Sequence, residues 1–158
     1  MIKLMLFVPS SGLVCCPLAM TDGAAFTLRE LKRTQSPYWD PDLEEAYQGL
    51  ISADPAKMWT SGQWMTEKRG GSDVSLGTDT FALAVEGNKC QLYGYKWFSS
   101  ATDSNMSLAL ARFPETEVDI ETRKGKLGLV FLRIRDNKGE LNNMEVVRLK
   151  DKLGTRQV

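Results

Sequence analysis

The spacing of apolar residues along this 158-residue chain changes near Asp54-Pro55. Upstream of that point apolar residues recur every three or four positions, which is the period of a helix with one buried face. Downstream they occur in short alternating runs that are typical of strands. The pattern therefore predicts an α+β fold, with a helical segment over residues 1–54 and a β domain over residues 55–158.

Two helices are predicted in the upstream part. The first begins at Thr21 or Asp22 as N-cap and ends near Arg33, because Ser, Thr, Asp and Asn are the preferred capping residues. The second begins at Asp40 as N-cap, with Pro41 at the first helical position. Their apolar stripes consist of Ala24, Leu28 and Leu31 in the first helix and Leu43, Ala46, Tyr47, Leu50 and Ile51 in the second. Two helices cannot close a core around such stripes alone, so the segment is expected to be the end of a larger helical domain.

Six strand-like segments are predicted in the downstream part. They cover residues 59–66, 78–85, 89–99, 108–113, 127–135 and 144–149. Glu86-Gly87-Asn88 is predicted as a hairpin turn, and the charged residues 114–126 as a surface loop. Short strands at this spacing predict an antiparallel β-sandwich or β-barrel.

Composition excludes several classes of function. The chain has no histidine, which excludes a Ser-His-Asp triad, a Cys-His pair and any His-ligated metal. Its 20 basic and 20 acidic residues balance, which argues against a nucleic-acid or anionic-membrane surface. Cys15, Cys16 and Cys90 cannot form a disulfide framework and are interpreted as buried, reduced thiols. The apolar runs at 4–8 and 13–20 are too short to span a bilayer or to make a convincing signal peptide.

The segment Gly62 to Asp73 reads as a strand that leads into a glycine-rich turn. Gly70 and Gly71 would allow positive φ angles and close approach of a ligand to the backbone, and consecutive amides in such a turn can bind anions. Lys68 would add positive charge, as would the arginine that follows it. Short glycine-rich loops are common, so this segment alone indicates only an ordinary turn.

Two further segments could carry chemistry. Tyr93 to Ser100 is an aromatic strand that could present Trp97 to a flat ring and Ser99 to a ring heteroatom. Aromatic residues also alternate between core and surface in ordinary strands. The basic run Arg148 to Arg156 is interpreted as a turn, which could equally be a solvated loop.

The order of these motifs is more informative than each motif alone. A strand ending in Met-Thr-Glu, a Gly-Gly-Ser-Asp turn, a Lys-Trp-Phe-Ser strand and a late Lys-Leu-Gly-Thr-Arg turn together resemble the acyl-CoA dehydrogenase family. The run Cys16 to Thr21 resembles that family's helical segment leading to its middle β domain. The Gly-Gly-Ser-Asp form and the Arg-Leu-Lys-Asp-Lys-Leu-Gly run are most similar to the AidB-like alkylation-response branch.

The resemblance implies FAD as cofactor and assigns its contacts by position. Thr66 stands where the family's threonine hydrogen-bonds the flavin ring, and Ser99 offers a hydroxyl near the reactive flavin nitrogen. Ser72 is the expected polar contact to cofactor or substrate. No metal site is implied. The implied cofactor-binding set is Gln63, Trp64, Met65, Thr66, Glu67, Lys68, Arg69, Gly70, Gly71, Ser72, Trp97, Phe98 and Ser99.

The family's catalytic base is a glutamate on a helix of a following domain, which would lie beyond Val158. Glu67 is therefore expected to hold its turn through backbone amides. The chain resembles the end of the N-terminal helical domain and most of the middle β domain of a parent that desaturates acyl-CoA thioesters. By itself it is expected to be inactive. A homo-oligomer, by resemblance a tetramer, and an intracellular location, cytoplasmic or mitochondrial, are also implied.

Two alternative functions remain open from the sequence. The AidB-like branch suggests a DNA-associated protective flavoprotein, whose basic surface would lie in a missing C-terminal part. A non-catalytic β binding module with surface aromatic residues is the other alternative.

Overall fold

The computed structural model describes residues 2–149, which form two units interleaved along the chain. The first unit is built from residues up to 62, residues 100–106 and those from 133 onward, and the second from residues 63–99 and 107–132. The domain boundary expected at residues 54 and 55 stays a prediction. Thr155 and Arg156, which belong to the last predicted motif, lie outside the described residues.

The first unit contains the predicted helical segment. Its elements are helix α1 (Ile2–Phe7), a 3₁₀ turn (Val8–Ser10), helix α2 (Cys15–Arg33) and helix α3 (Pro41–Leu50). Helix α3 begins as predicted, because the Asp40 carboxylate accepts a hydrogen bond from Leu43 N at 2.9 Å. The mainly helical character of the upstream part is confirmed.

The predicted start of helix α2 is wrong. The helix begins at Cys15, because Pro17 falls in its first turn, where proline leaves no intrahelical hydrogen bond unmade. Thr21 is therefore inside the helix, and its Oγ1 donates to Pro17 O at 3.0 Å and accepts from Ser61 N at 3.1 Å. Cys16 is exposed and Cys15 and Cys90 are only half-buried, so the expectation of buried thiols is wrong for Cys16 and holds only in part for the other two.

Helices α2 and α3 contribute to the core of the first unit, in which Met106 and Ile134 are also fully buried. The predicted stripes are buried in part, at Ala24, Leu28, Leu43, Ala46 and Leu50. An ion pair of 2.8 Å between Lys32 Nζ and Glu44 joins the two helices at their exposed edge. The indole of Trp59 packs on α3 at Gly49, and the Gly49 carbonyl accepts the backbone N–H of Trp59 at 3.0 Å.

The described residues contain one five-stranded sheet. Its strands are β1 (Ser61–Trp64), β2 (Phe81–Ala84), β3 (Cys90–Tyr93), β4 (Met106–Phe113) and β5 (Lys126–Arg133). The order is β1-β4-β2-β3, and β5 also pairs with β4. The α+β class is confirmed, and so is the hairpin turn: β2 and β3 are antiparallel, and Gly87 occupies the left-handed region with φ 57°.

Several details of the predicted β domain are wrong. The sheet is not closed into a barrel, and β2 pairs with β4 in parallel, Phe81 opposite Arg112. This happens because β3 lies between them in sequence, so the chain has reversed twice before β4 begins. Residues 144–149 form no strand. The predicted loop 114–126 contains helix α5 (Glu117–Glu121), which begins with a Thr116–Asp119 capping box.

None of the helices described within residues 2–149 has both the length and the apolar character needed to cross a membrane.

The contact between Gly49 and Trp59 gives a test of this packing. A Cβ at position 49 would lie 2.5 Å from Trp59 Cγ, so we expect Gly49→Ala to lower the free energy of unfolding by about 1–3 kcal/mol. Gly23 in α2 is the matched control, because nothing lies within 4 Å of its added Cβ. Gly23→Ala should raise stability by about 0.5–1 kcal/mol. Equal effects in urea denaturation would contradict the packing.

Candidate functional site

All the sequence-predicted cofactor residues lie in the second unit, in the segments 63–72 and 97–99. The structure brings the two segments together, because Trp97 N donates a hydrogen bond to Thr66 O at 2.9 Å. Thr66 and Ser99 are both half-buried. Two hydroxyl-bearing residues that are far apart in sequence thus belong to one joined pair of segments.

The second segment is not part of a strand, contrary to the prediction. Strand β3 ends at Tyr93, and Phe98 has a left-handed backbone with φ 59°, which a bulky residue adopts only under strain. Such a backbone cannot continue an extended ladder. Trp97 and Phe98 meet edge to face, with ring centroids 5.7 Å apart, and are 37% and 56% exposed. Both rings are therefore partly exposed, and the backbone of Trp97 is bonded to that of Thr66.

Burial varies from residue to residue along the segment that runs from β1 into the loop. Trp64 is buried and Gln63 is exposed, as alternation along a strand requires. Met65 is half-buried like its neighbour Thr66, and Glu67 is buried. The exposed positions of the loop are Lys68, Arg69, Gly71 and Ser72.

The Glu67 carboxylate is the most heavily bonded group of this region. It forms an ion pair of 2.5 Å with Lys96 Nζ, and the exposed fractions of the two side chains are 4% and 12%. It also accepts the backbone N–H groups of Asp79 at 2.7 Å and Thr80 at 3.1 Å. Lys96 Nζ donates in addition to Leu110 O at 2.7 Å. Glu67 therefore binds backbone amides, as expected from sequence, although these amides belong to a distant segment.

Opposing effects set the pKa values of this pair. Burial raises the pKa of the Glu67 carboxyl, but the hydrogen bonds from Lys96 and from the backbone outweigh it and leave the pKa below its usual 4.5. Burial lowers the pKa of Lys96, and the bond to Glu67 offsets this only in part. We conclude that Glu67 is ionised at neutral pH and is held by its donors, so it is poorly suited to accept a substrate proton.

The glycine-rich turn is built differently from the sequence prediction. Neither Gly70 nor Gly71 has a positive φ. Gly70 instead packs against the backbone of Gly77 in the short helix α4 (Val74–Gly77): a Cβ on Gly77 would lie 2.2 Å from Gly70 Cα. At Gly71 nothing lies within 4 Å of an added Cβ. The absence of a side chain at Gly70 thus allows the backbones of the loop and α4 to pack closely.

Two arginines at this loop have contacts that sequence reasoning missed. Arg112 on β4 donates from its guanidinium to the carbonyls of Thr78 at 2.7 Å, Gly125 at 3.2 Å and Ser75. Arg123 Nη1 lies 2.7 Å from Asp79 Oδ2. No local motif signals these contacts, because each joins residues more than ten positions apart.

Asp79 also pairs with an arginine of the glycine-rich loop. Arg69 Nη1 lies 3.5 Å from Asp79 Oδ1, so one carboxylate faces two guanidinium groups. Lys68 beside them is exposed. On this loop Lys68 and Arg69 are exposed cations, and Asp73, which follows Ser72, is an exposed anion.

Comparisons with known proteins identify the family of this chain. Residues 62–158 match the model of the acyl-CoA dehydrogenase middle domain. The chain therefore belongs to the acyl-CoA dehydrogenase family.

Individual relatives support the same assignment. The chain is 51% identical over 157 residues to acyl-CoA dehydrogenase family member 11 of Caenorhabditis elegans, covering 99% of this chain and 25% of that protein. It is 34% identical over 145 residues to the putative acyl-CoA dehydrogenase AidB of Escherichia coli K12, covering 89% of this chain and 24% of that protein. The chain thus spans about a quarter of the length of these relatives.

A solved structure shows the same fold. The crystal structure of C. elegans ACDH-11 in complex with C11-CoA superimposes with a TM-score of 0.81 at 48% identity, covering 95% of this chain and 25% of that one.

The buried ion pair predicts a pH-dependent stability. Glu67 has a lowered pKa in the folded state, so its contribution is complete above about pH 4.5 and is lost as the pH falls through the folded-state value. At neutral pH we expect Glu67→Gln to cost about 3–5 kcal/mol, because Lys96 is left buried without a counter-charge. The difference from the wild type should shrink below pH 4.5. Glu86→Gln in the exposed hairpin turn is the control, and it should change the free energy of unfolding by no more than about 0.5 kcal/mol. An effect of Glu67→Gln as small as this, or one independent of pH, would contradict the stabilising role of the ion pair.

Proposed function

We propose that this chain is the flavin-binding part of an acyl-CoA dehydrogenase-like oxidoreductase that takes acyl thioesters as substrates. The observation that carries the proposal is the hydrogen bond from Trp97 N to Thr66 O, which joins the two motif segments. Members of the family use FAD, which would supply the acceptor for the hydride removed in α,β-desaturation.

The residues present fit a flavin in chemical type. An isoalloxazine ring needs polar partners for its heteroatoms and apolar contact along its faces. Thr66 and Ser99 are half-buried residues with hydroxyls, and Trp97 and Phe98, which precede Ser99 in the chain, offer exposed aromatic surface. We infer that Thr66 and Ser99 bond the ring and that Trp97 packs beside it, while the side chains of Trp64 and Glu67 support the segment from within the unit.

The exposed loop suits the phosphate-bearing CoA part of an acyl-CoA substrate. Lys68, Arg69 and Ser72 are exposed on it, and CoA carries phosphates that cations and hydroxyls bind. The relative ACDH-11 was crystallised with C11-CoA, which supports an acyl thioester as the ligand class. We propose Ser72 as the polar contact to substrate or cofactor.

The proton-accepting base is proposed to belong to another part of the parent protein. The Glu67 carboxylate is already bonded to Lys96 and to two backbone amides, so using it as base would break a buried ion pair. On this proposal the 158 residues bind the flavin without turning over acyl-CoA, and a dye-reduction assay with acyl-CoA thioesters tests that point. Turnover by the chain that Glu67→Gln abolishes would contradict it.

The DNA-associated alternative, the tetramer and the compartment remain predictions from the resemblance. Salt-dependent binding of a full-length parent to duplex DNA would favour the DNA-associated alternative. A flavin absorbance spectrum distinguishes a flavoprotein from a plain β binding module.

The flavin assignment predicts the behaviour of a double variant. Each hydroxyl hydrogen bond is worth about 0.5–1.5 kcal/mol, so Thr66→Val with Ser99→Ala should weaken FAD binding by roughly 5- to 150-fold. The measurement is a titration of the chain with FAD, followed by flavin fluorescence. Thr122→Val with Ser75→Ala is the matched control, because both residues are exposed and lie in the same unit outside the proposed site. Absence of FAD binding by the wild-type chain, or equal affinity of both double variants, would refute the assignment.

A further inference from the structure

The buried ion pair sits beside the proposed flavin contacts in sequence. Glu67 follows Thr66 directly, and Lys96 precedes Trp97 directly. The two segments are therefore joined twice at adjacent positions, by the backbone hydrogen bond of 2.9 Å from Trp97 N to Thr66 O and by the Lys96–Glu67 ion pair of 2.5 Å.

Each charge of the pair is anchored to a further strand or loop. The Glu67 carboxylate accepts the N–H groups of Asp79 and Thr80, which precede strand β2. The Lys96 ammonium donates to Leu110 O on strand β4. Because both side chains are almost fully buried, neither can swing away without leaving an unpaired charge in the interior. The pair therefore fixes both segments relative to two neighbouring strands of the sheet.

The second segment needs such an anchor. Phe98 holds a left-handed backbone with φ 59°, a conformation that persists only when the surroundings impose it. No regular strand holds the residues from Gly94 to Ser99. The bonds of Lys96 lie two positions before the strained Phe98.

We propose that Glu67 and Lys96 are positioning residues that set the spacing between the Thr66 hydroxyl and the Trp97–Ser99 turn, and so pre-organise the flavin contacts. The flavin half of this proposal rests on the proposed function, whereas the ordering of the turn does not. Contacts that are already ordered in the free protein raise the affinity for FAD, because less conformational entropy is lost when it binds.

The test compares two neutralised ion pairs in the 158-residue chain. Glu67→Gln with Lys96→Met removes both buried charges while nearly keeping their shape, so the fold should survive where a single change would leave one charge unpaired. Glu115→Gln with Lys126→Met is the control, because that pair is exposed and 3.4 Å apart. If the first double variant does not fold, Lys96→Arg replaces it, since the charge is kept but the ammonium geometry is not.

Two readouts distinguish positioning from mere stability. The first is hydrogen exchange of the Trp97 amide, measured against the Val85 amide, which donates to Lys89 O in the β2–β3 hairpin. We expect exchange at Trp97 to accelerate at least tenfold more than exchange at Val85. The second is FAD affinity from fluorescence titration, which should fall about tenfold. The control variant should change neither readout.

Each outcome decides a separate point. Equal acceleration at Trp97 and Val85 would mean that the pair only stabilises the unit, and the proposal would be wrong. Selective acceleration with unchanged FAD affinity would also overturn it, because the turn would then not govern flavin binding. If the wild-type chain binds no FAD while Trp97 exchange accelerates selectively, the ordering of the turn is established and the proposed function fails.

Discussion

The second unit depends on one buried carboxylate. Glu67 lies at the end of the segment that follows β1. Its two oxygens are bonded to the ammonium of Lys96 and to the consecutive backbone amides of Asp79 and Thr80. A carboxylate in a low-dielectric interior is tolerated only when all its surroundings donate to it. The positions of the glycine-rich loop, the entry to β2 and the Lys96 segment are consequently tied to a single group.

A second constraint acts on the exposed side of the same unit. The close approach of Gly70 and Gly77 folds the loop back on itself. The guanidinium of Arg112 donates hydrogen bonds to the carbonyls of Ser75 and Thr78. Arg69 and Arg123 then share Asp79. These contacts hold the base of the loop, whereas Lys68 and Ser72 are exposed.

Family membership and local geometry answer different questions. The match to the acyl-CoA dehydrogenase middle domain shows what kind of unit this is. Flavin binding by the joined segments around Thr66 and Trp97 is our proposal. A catalytic base outside this chain is also a proposal, which the hydrogen bonds already made by Glu67 support. Because the chain spans about a quarter of the relatives' length, the activity of a whole protein of this family remains a proposal for this chain.

The sequence alone determined the features that depend on neighbouring residues. The cap at Asp40, the β2–β3 hairpin turn, the helical upstream part and the order of the family motifs are all local, since capping, turn geometry and apolar period act over a few positions. The tertiary structure decided the rest. The parallel pairing of β2 with β4, the early start of α2 around Pro17, the left-handed Phe98 and the partners of Glu67 all depend on residues distant in sequence. The periodicity of apolar residues gives no signal for a contact between positions 67 and 96. That contact forms because a buried charge must be neutralised, and the charge becomes buried only once the chain has folded.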